Sequence, residues 1–87
     1  MARVVIYRTV YCPYCDMAKR LFDSLGVEYE QIDVTEDPET RAELVQRTGG
    51  KRTVPQIFIN DVPVGGFTDI QALQRSGELE RMLADDA

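Results

Sequence analysis

Apolar positions recur along this chain with two different periods. Residues 3–8, RVVIYR, are β-branched and aromatic, which predicts a strand. The period then changes. Met17, Leu21 and Leu25 recur at steps of four, with Ala18 and Phe22 alongside, and this predicts one apolar face of a helix. Pro13 suits the first helical position, where a missing N–H costs nothing, and Gly26 stands where a C-terminal cap belongs. The segment VEYEQIDV (27–34) alternates at Val27 and Tyr29, slips in phase, and resumes at Ile32 and Val34, an imperfect strand pattern. Asp37-Pro38 predicts a second helix start; ETRAELVQRT then offers a thin apolar face of Ala42, Leu44 and Val45, ended by Gly49-Gly50. VPQIFIN (54–60) reads as a buried strand and VPVGG (62–66) as its partner, with Asn60-Asp61 as the tight turn between them. Thr68-Asp69 predicts an N-cap and first-turn acid for IQALQRS. Gly77 breaks that helix, and ELERMLADD forms a last short one with Leu79, Met82 and Leu83 facing in and Asp85-Asp86 as a solvated tail.

The predicted order is βαβ, a helix, a β-hairpin, then helices. A βαβ unit implies parallel strands joined by a right-handed crossover, whereas the hairpin is antiparallel. The simplest solution is an α/β fold with a four-stranded mixed sheet covered by helices.

Length and composition narrow the class. A chain of 87 residues predicts a single domain spanning residues 1–87 with a modest core. The formal net charge of −5 argues against nucleic acid or a membrane surface as partner. No apolar run approaches the roughly 18 residues that span a bilayer. The opening MARVVIYRTVY is too short in its apolar stretch for a signal peptide, so a cytoplasmic location is expected.

The two cysteines, Cys12 and Cys15, stand in TVYCPYCDMAKRLF at the junction of the first strand and the first helix. A bridge between them closes a very short loop and removes little unfolded-state entropy, and structural disulfides are uncommon in the cytoplasm. Zinc wants four Cys or His ligands, and the chain has two Cys and no His; no metal site is expected. Redox chemistry is left. The first N–H groups of a helix lack internal partners and the helix dipole adds partial positive charge, so both stabilise a thiolate. Arg8 and Lys19 add to that field. Cys12, at the helix mouth, is expected to be the more exposed and more acidic sulfur and to attack; Cys15, one turn in, resolves the mixed disulfide.

CPYC at 12–15, TVPQIFIN at 53–60 and GGFTD at 65–69, in this order and at these intervals, resemble the glutaredoxins of the short bacterial dithiol type. The resemblance spans nearly the whole chain. It implies a thioredoxin-like fold and a monomer that reduces protein disulfides and protein–glutathione mixed disulfides. Glutathione is then the electron-donating co-substrate, with no tightly bound cofactor. It implies that Cys12 is the nucleophile and Cys15 the resolving thiol. Thr53, Val54 and Pro55 match the loop facing the site, where the proline is cis and Val54 pairs its backbone with extended glutathione. Gly65 and Gly66 match the pair that lets backbone approach the tripeptide. Thr68 and Asp69 match the helix start that receives its γ-glutamyl end. Tyr14 flanks the tripeptide, and Arg41 stands where the family often carries Arg or Gln for the glycyl carboxylate.

Two positions depart from the family. Many relatives carry Lys three residues before the first cysteine, where this chain has Thr9; either the glycyl carboxylate loses one cation here, or Arg8, Lys51 or Arg52 supplies it. The turn TGGKRTVP is one residue longer than usual. A basic rim of Arg8, Lys19, Arg20, Arg47, Lys51 and Arg52 is expected near the site, suited to a ligand with two carboxylates. Two further readings fit such a chain. One is a glutaredoxin-like redoxin recharged by thioredoxin reductase and serving ribonucleotide reductase, towards which Thr9 leans slightly and away from which CPYC and TVPQIF lean. The other is a carrier holding a [2Fe–2S] cluster through Cys12 and glutathione, against which Pro13 and the competing Cys15 argue.

Overall fold

The computed structural model describes residues 2–85. Strand β1 (Val4–Arg8) leads into helix α1 (Pro13–Ser24), strand β2 (Glu30–Asp33) and helix α2 (Pro38–Arg47); strands β3 (Gln56–Ile59) and β4 (Val62–Gly65) follow, then helices α3 (Phe67–Ser76) and α4 (Glu78–Ala84). The strands form one sheet in the order β2-β1-β3-β4. β1 runs parallel to β2 and antiparallel to β3, and β3 and β4 form an antiparallel hairpin. The predicted mixed four-stranded sheet is therefore present. The hairpin turns on Asn60 and Asp61, both at positive φ (52° and 66°), the backbone a two-residue turn with both central residues left-handed requires.

Strand alternation divides the core in two. Val4 and Ile6 of β1 and Ile57 and Ile59 of β3 pack with Ala18 and Phe22 of α1, Ile70 of α3 and Leu79 of α4. Val5 and Phe58 point to the other face and meet Leu44 of α2, with Tyr7 and Ile32 at the margin. Successive side chains on a strand face opposite ways, so the apolar runs VVI and IFI serve both layers. Each fully buried Phe or Ile contributes about 1.5–3 kcal/mol of transfer free energy, and Phe22, Ile57 and Ile70 are all at 0% exposure.

Several expectations are corrected. The sheet-facing stripe of α1 is Cys15, Ala18 and Phe22, with Leu21 and Leu25 half-buried; Met17 is 40% exposed. Turning Cys15 inward rotates Met17 out to the rim. The phase slip at 27–29 marks the end of the helix rather than an irregular strand. The N–H of Val27 donates to the Phe22 carbonyl at 3.1 Å as part of the α1 cap, and β2 begins only at Glu30. Ala42 is exposed, so the buried contact of α2 rests on Leu44, with Val45 half-buried. α3 starts earlier than expected: Gly66 is its N-cap, which puts Thr68 in the first turn and Asp69 third. Leu79 is buried and Met82 and Leu83 pack against the larger core as predicted. Asp85 is exposed, and Asp86 lies outside the described residues.

Candidate active site

Three segments converge at the end of the sheet where β1 stops. The first is the turn into α1. Cys12 takes an extended conformation as N-cap, Pro13 fills the first helical position, and the N–H of Cys15 donates to the Cys12 sulfur at 3.1 Å. The Cys12 carbonyl accepts from the Asp16 N–H at 3.1 Å. A helix entered through a cysteine thus aims an otherwise unpartnered amide at that cysteine's sulfur. Cys12 and Cys15 are joined as a disulfide. Both residues are buried, Cys12 at 7% exposure and Cys15 at none, so of the two only Cys12 reaches the surface.

The second segment is the loop before β3. The Val54–Pro55 peptide is cis, as the motif predicted. Gln56, at the start of β3, is only 2% exposed and donates its side-chain amide to the Thr53 carbonyl at 2.7 Å, which fixes the loop from below. The third segment is the β4–α3 junction. Asp69 accepts the Gly66 N–H at 2.9 Å, closing the first turn of α3. Gly65 has φ +105°, and a Cβ there would lie inside contact distance of the Asp69 carboxylate. A Cβ on Gly66 would lie 3.4 Å from the Pro55 carbonyl, so the second and third segments come into van der Waals reach at residue 66.

These segments line one groove of about 470 Å³. Tyr14 comes from α1, Thr53, Val54 and Pro55 from the cis-proline loop, and Gly66, Thr68 and Asp69 from the junction; Lys51, Arg52, Gln56 and Phe67 complete its wall. Tyr14 is 57% exposed and tilts against Phe67 with ring centres 6.3 Å apart. Arg41 is not in this groove. It lines an adjoining one that shares Lys51 to Val54, and its guanidinium donates to the Arg52 carbonyl at 3.5 Å. Cys12 lines a further groove, with Tyr11, Asp16 and Arg20.

The cations are distributed differently from the expected rim. Lys51 and Arg52 line the main groove and Arg20 stands beside Cys12. Arg47 is instead laid over the Phe58 ring, 4.2 Å from its centre. Lys19 is exposed and lines none of these grooves. Arg8 is committed at home: it pairs with Asp16 at 2.9 Å and donates to the carbonyls of Thr9 and Val10. It is thus not a free substitute for the Lys that Thr9 displaces.

On its other side the turn before Cys12 is held through Thr35, whose hydroxyl accepts the Val10 N–H at 2.8 Å and donates to Asp33. Hydrogen bonds from the Thr35 hydroxyl and amide, with a smaller contribution from Arg8, hold the Asp33 carboxyl below the usual range. Two residues of the site escaped sequence reading as such. Gln56 had a signal, a polar residue inside an apolar strand run; Phe67 had only its place inside GGFTD.

Comparison with known proteins places this geometry. The family profile Glutaredoxin matches residues 4–64. A glutaredoxin of Pseudomonas aeruginosa is 48% identical over 84 residues, covering 97% of this chain and 99% of that protein. One from Neisseria meningitidis serogroup A is also 48% identical, over 95% of this chain and 98% of its own length. Among solved structures, a buckwheat glutaredoxin–glutathione complex superposes with a TM-score of 0.86 at 37% identity, over 92% of this chain and 74% of that one. The solution structure of glutaredoxin from Brucella melitensis superposes with a TM-score of 0.83 at 46% identity, over 95% and 89%.

Proposed function

This chain belongs to the glutaredoxin family, with the thioredoxin-like fold and a redox-active cysteine pair, and from that premise we propose that glutathione is the reductant of its thiol–disulfide chemistry. The observation that carries the reading is the main groove. Seven residues singled out for glutathione line it together, and Arg41 adjoins it. A solved relative is described as a glutaredoxin–glutathione complex.

In the proposed cycle the Cys12 thiolate attacks one sulfur of a substrate disulfide. A Cys12–substrate bond forms, and the other substrate sulfur leaves as a thiolate and takes a proton. For a protein disulfide, the Cys15 thiolate then attacks the Cys12 sulfur, frees the second substrate thiol and leaves the Cys12–Cys15 bridge. Two electrons have passed to the substrate. One glutathione thiolate reopens the bridge at Cys12, forming a Cys12–glutathione disulfide and releasing Cys15. A second attacks the bound glutathione sulfur, which leaves oxidised glutathione and the Cys12 thiolate. For a glutathionylated protein, Cys12 attacks the glutathione sulfur directly and Cys15 is not needed.

Each residue has a role in this reading. Val54 offers strand-like backbone pairing to the cysteinyl residue, and Pro55 and Thr53 shape that edge. Thr68 and Asp69, with Gly66, receive the charged γ-glutamyl end at the start of α3. Tyr14 walls the tripeptide. Lys51, Arg52 and Arg41 attract the glycyl carboxylate, a task Arg8 is not free to perform. The protein acts as a monomer in the cytoplasm, on oxidised or glutathionylated proteins, ribonucleotide reductase being one candidate.

The test is reduction of a small glutathione mixed disulfide and of the oxidised protein itself, with glutathione or with thioredoxin reductase and NADPH. Turnover with glutathione is the expected result. Recharging by thioredoxin reductase alone would replace this reading with the redoxin one.

A further inference from the structure

Asp16 is an awkward residue to find beside a reactive thiolate. It stands in the first turn of the helix that Cys12 caps, and its N–H donates to the Cys12 carbonyl at 3.1 Å. It lines the same groove as Cys12. A carboxylate there disfavours a second negative charge on the neighbouring sulfur. Its oxygen, however, sits 2.9 Å from the guanidinium of Arg8, whose side chain is only 16% exposed against 52% for Asp16. The same guanidinium donates to the Thr9 carbonyl at 3.1 Å, the Val10 carbonyl at 3.5 Å and the Gln31 side chain at 3.3 Å. The Arg8 cation is thereby tied to the strand end, the loop before Cys12 and the first turn of α1 together.

We propose that Arg8 is a positioning residue that screens Asp16, so that the first turn of α1 remains net attractive to a thiolate at Cys12. This rests on the reading of Cys12 as the attacking thiolate. The other charged and titratable groups around the turn are Arg20 on α1, the phenols of Tyr11 and Tyr14, Lys51, Arg52 and Asp69 across the groove, and Asp33 on β2 behind Arg8. Of these, Asp33 is hydrogen-bonded to Thr35. Among the described residues, the Arg8–Asp16 contact is the one ion pair that joins β1 to α1.

The experiment titrates Cys12 in the reduced protein by thiolate absorbance and by pH-dependent alkylation, with the alkylated residue assigned by mass. The proteins are wild type, Arg8→Gln, Arg8→Lys, Asp16→Asn and Arg8→Gln/Asp16→Asn. Arg8→Gln should raise the apparent pKa of Cys12 by about half a unit to one unit. Arg8→Lys should stay near wild type. Removing Asp16 as well should cancel the rise, returning the double variant close to the wild-type value, with Asp16→Asn alone below it. An unmoved titration in Arg8→Gln overturns the proposal, and so does a double variant as high as Arg8→Gln, because loss of loop geometry would then be the cause. A depressed wild-type pKa with either of those outcomes leaves the thiolate reading standing and removes only the screening role. Ordinary thiol acidity in the wild type overturns both.

Discussion

Gln56 donates its side-chain amide to the carbonyl oxygen of Thr53 across 2.7 Å, from a position only 2% exposed. It is the buried polar side chain among the described residues, and its bond fixes the loop that presents Val54 and Pro55. Gln56→Leu preserves the volume and removes the donor. It should destabilise the fold by about 1–3 kcal/mol, because the carbonyl loses a buried partner. KM for a glutathione mixed disulfide should rise several-fold while kcat moves less. Urea unfolding and steady-state kinetics check both; unchanged KM would show that Gln56 serves stability alone.

Gly65 and Asp69 are coupled by space. At φ +105° residue 65 has little tolerance for a side chain, and its Cβ would overlap the Asp69 carboxylate. Gly65→Ala should therefore destabilise by about 1–3 kcal/mol. Asp69→Ala loses the bond to the Gly66 N–H, worth about 1 kcal/mol. With the Asp69 carboxylate gone the overlap shrinks to the residue 69 Cβ at 2.9 Å, so Gly65→Ala should cost less in the Asp69→Ala background than in the wild type. Melting temperatures of the four proteins test this, and strict additivity would refute the coupling.

Much of this arrangement was legible in the residues because it depends on short-range rules. Pro13 at a helix start, Asn60-Asp61 between two apolar runs and Gly26 after a periodic stretch each state a local backbone requirement, and the fold meets all three. What was hidden depends on tertiary context. Met17 repeats with Leu21 and Leu25, yet the helix turns Cys15, Ala18 and Phe22 to the sheet. Thr68 has a capping side chain, yet Asp69 reaches back to Gly66 and sets the start earlier. Arg8 was legible as a cation but not as one already engaged, since its partner Asp16 is brought near only by the turn through Cys12. The site groove followed from the motifs; the separation of Arg41 and Cys12 into neighbouring grooves did not.

Acid should expose the capping of α2. Hydrogen bonds from the Thr40 hydroxyl and backbone N–H hold the Asp37 carboxyl below its ordinary value of 3.8. The folded pKa lies below the unfolded one, so this stabilisation is present above the unfolded value and is lost as pH falls through the folded value. Asp33, lowered by Thr35, adds in the same direction. The urea midpoint of the wild type should decline as pH drops from about 5 towards about 2.5. Asp37→Asn keeps a capping oxygen but does not titrate, so its decline should be shallower. Equal slopes would mean that Asp37 is not linked to folding.

The role of Cys12 as the sulfur that forms the mixed disulfide is tested most directly by trapping. Cys15→Ser should react with oxidised glutathione to give a protein carrying one glutathione, located by mass on Cys12, and should still reduce a small glutathione mixed disulfide. Cys12→Ser should form no such catalytic adduct and have no activity on that substrate. An active Cys12→Ser protein, or a Cys15→Ser protein that neither forms the adduct nor turns over, would contradict the assignment.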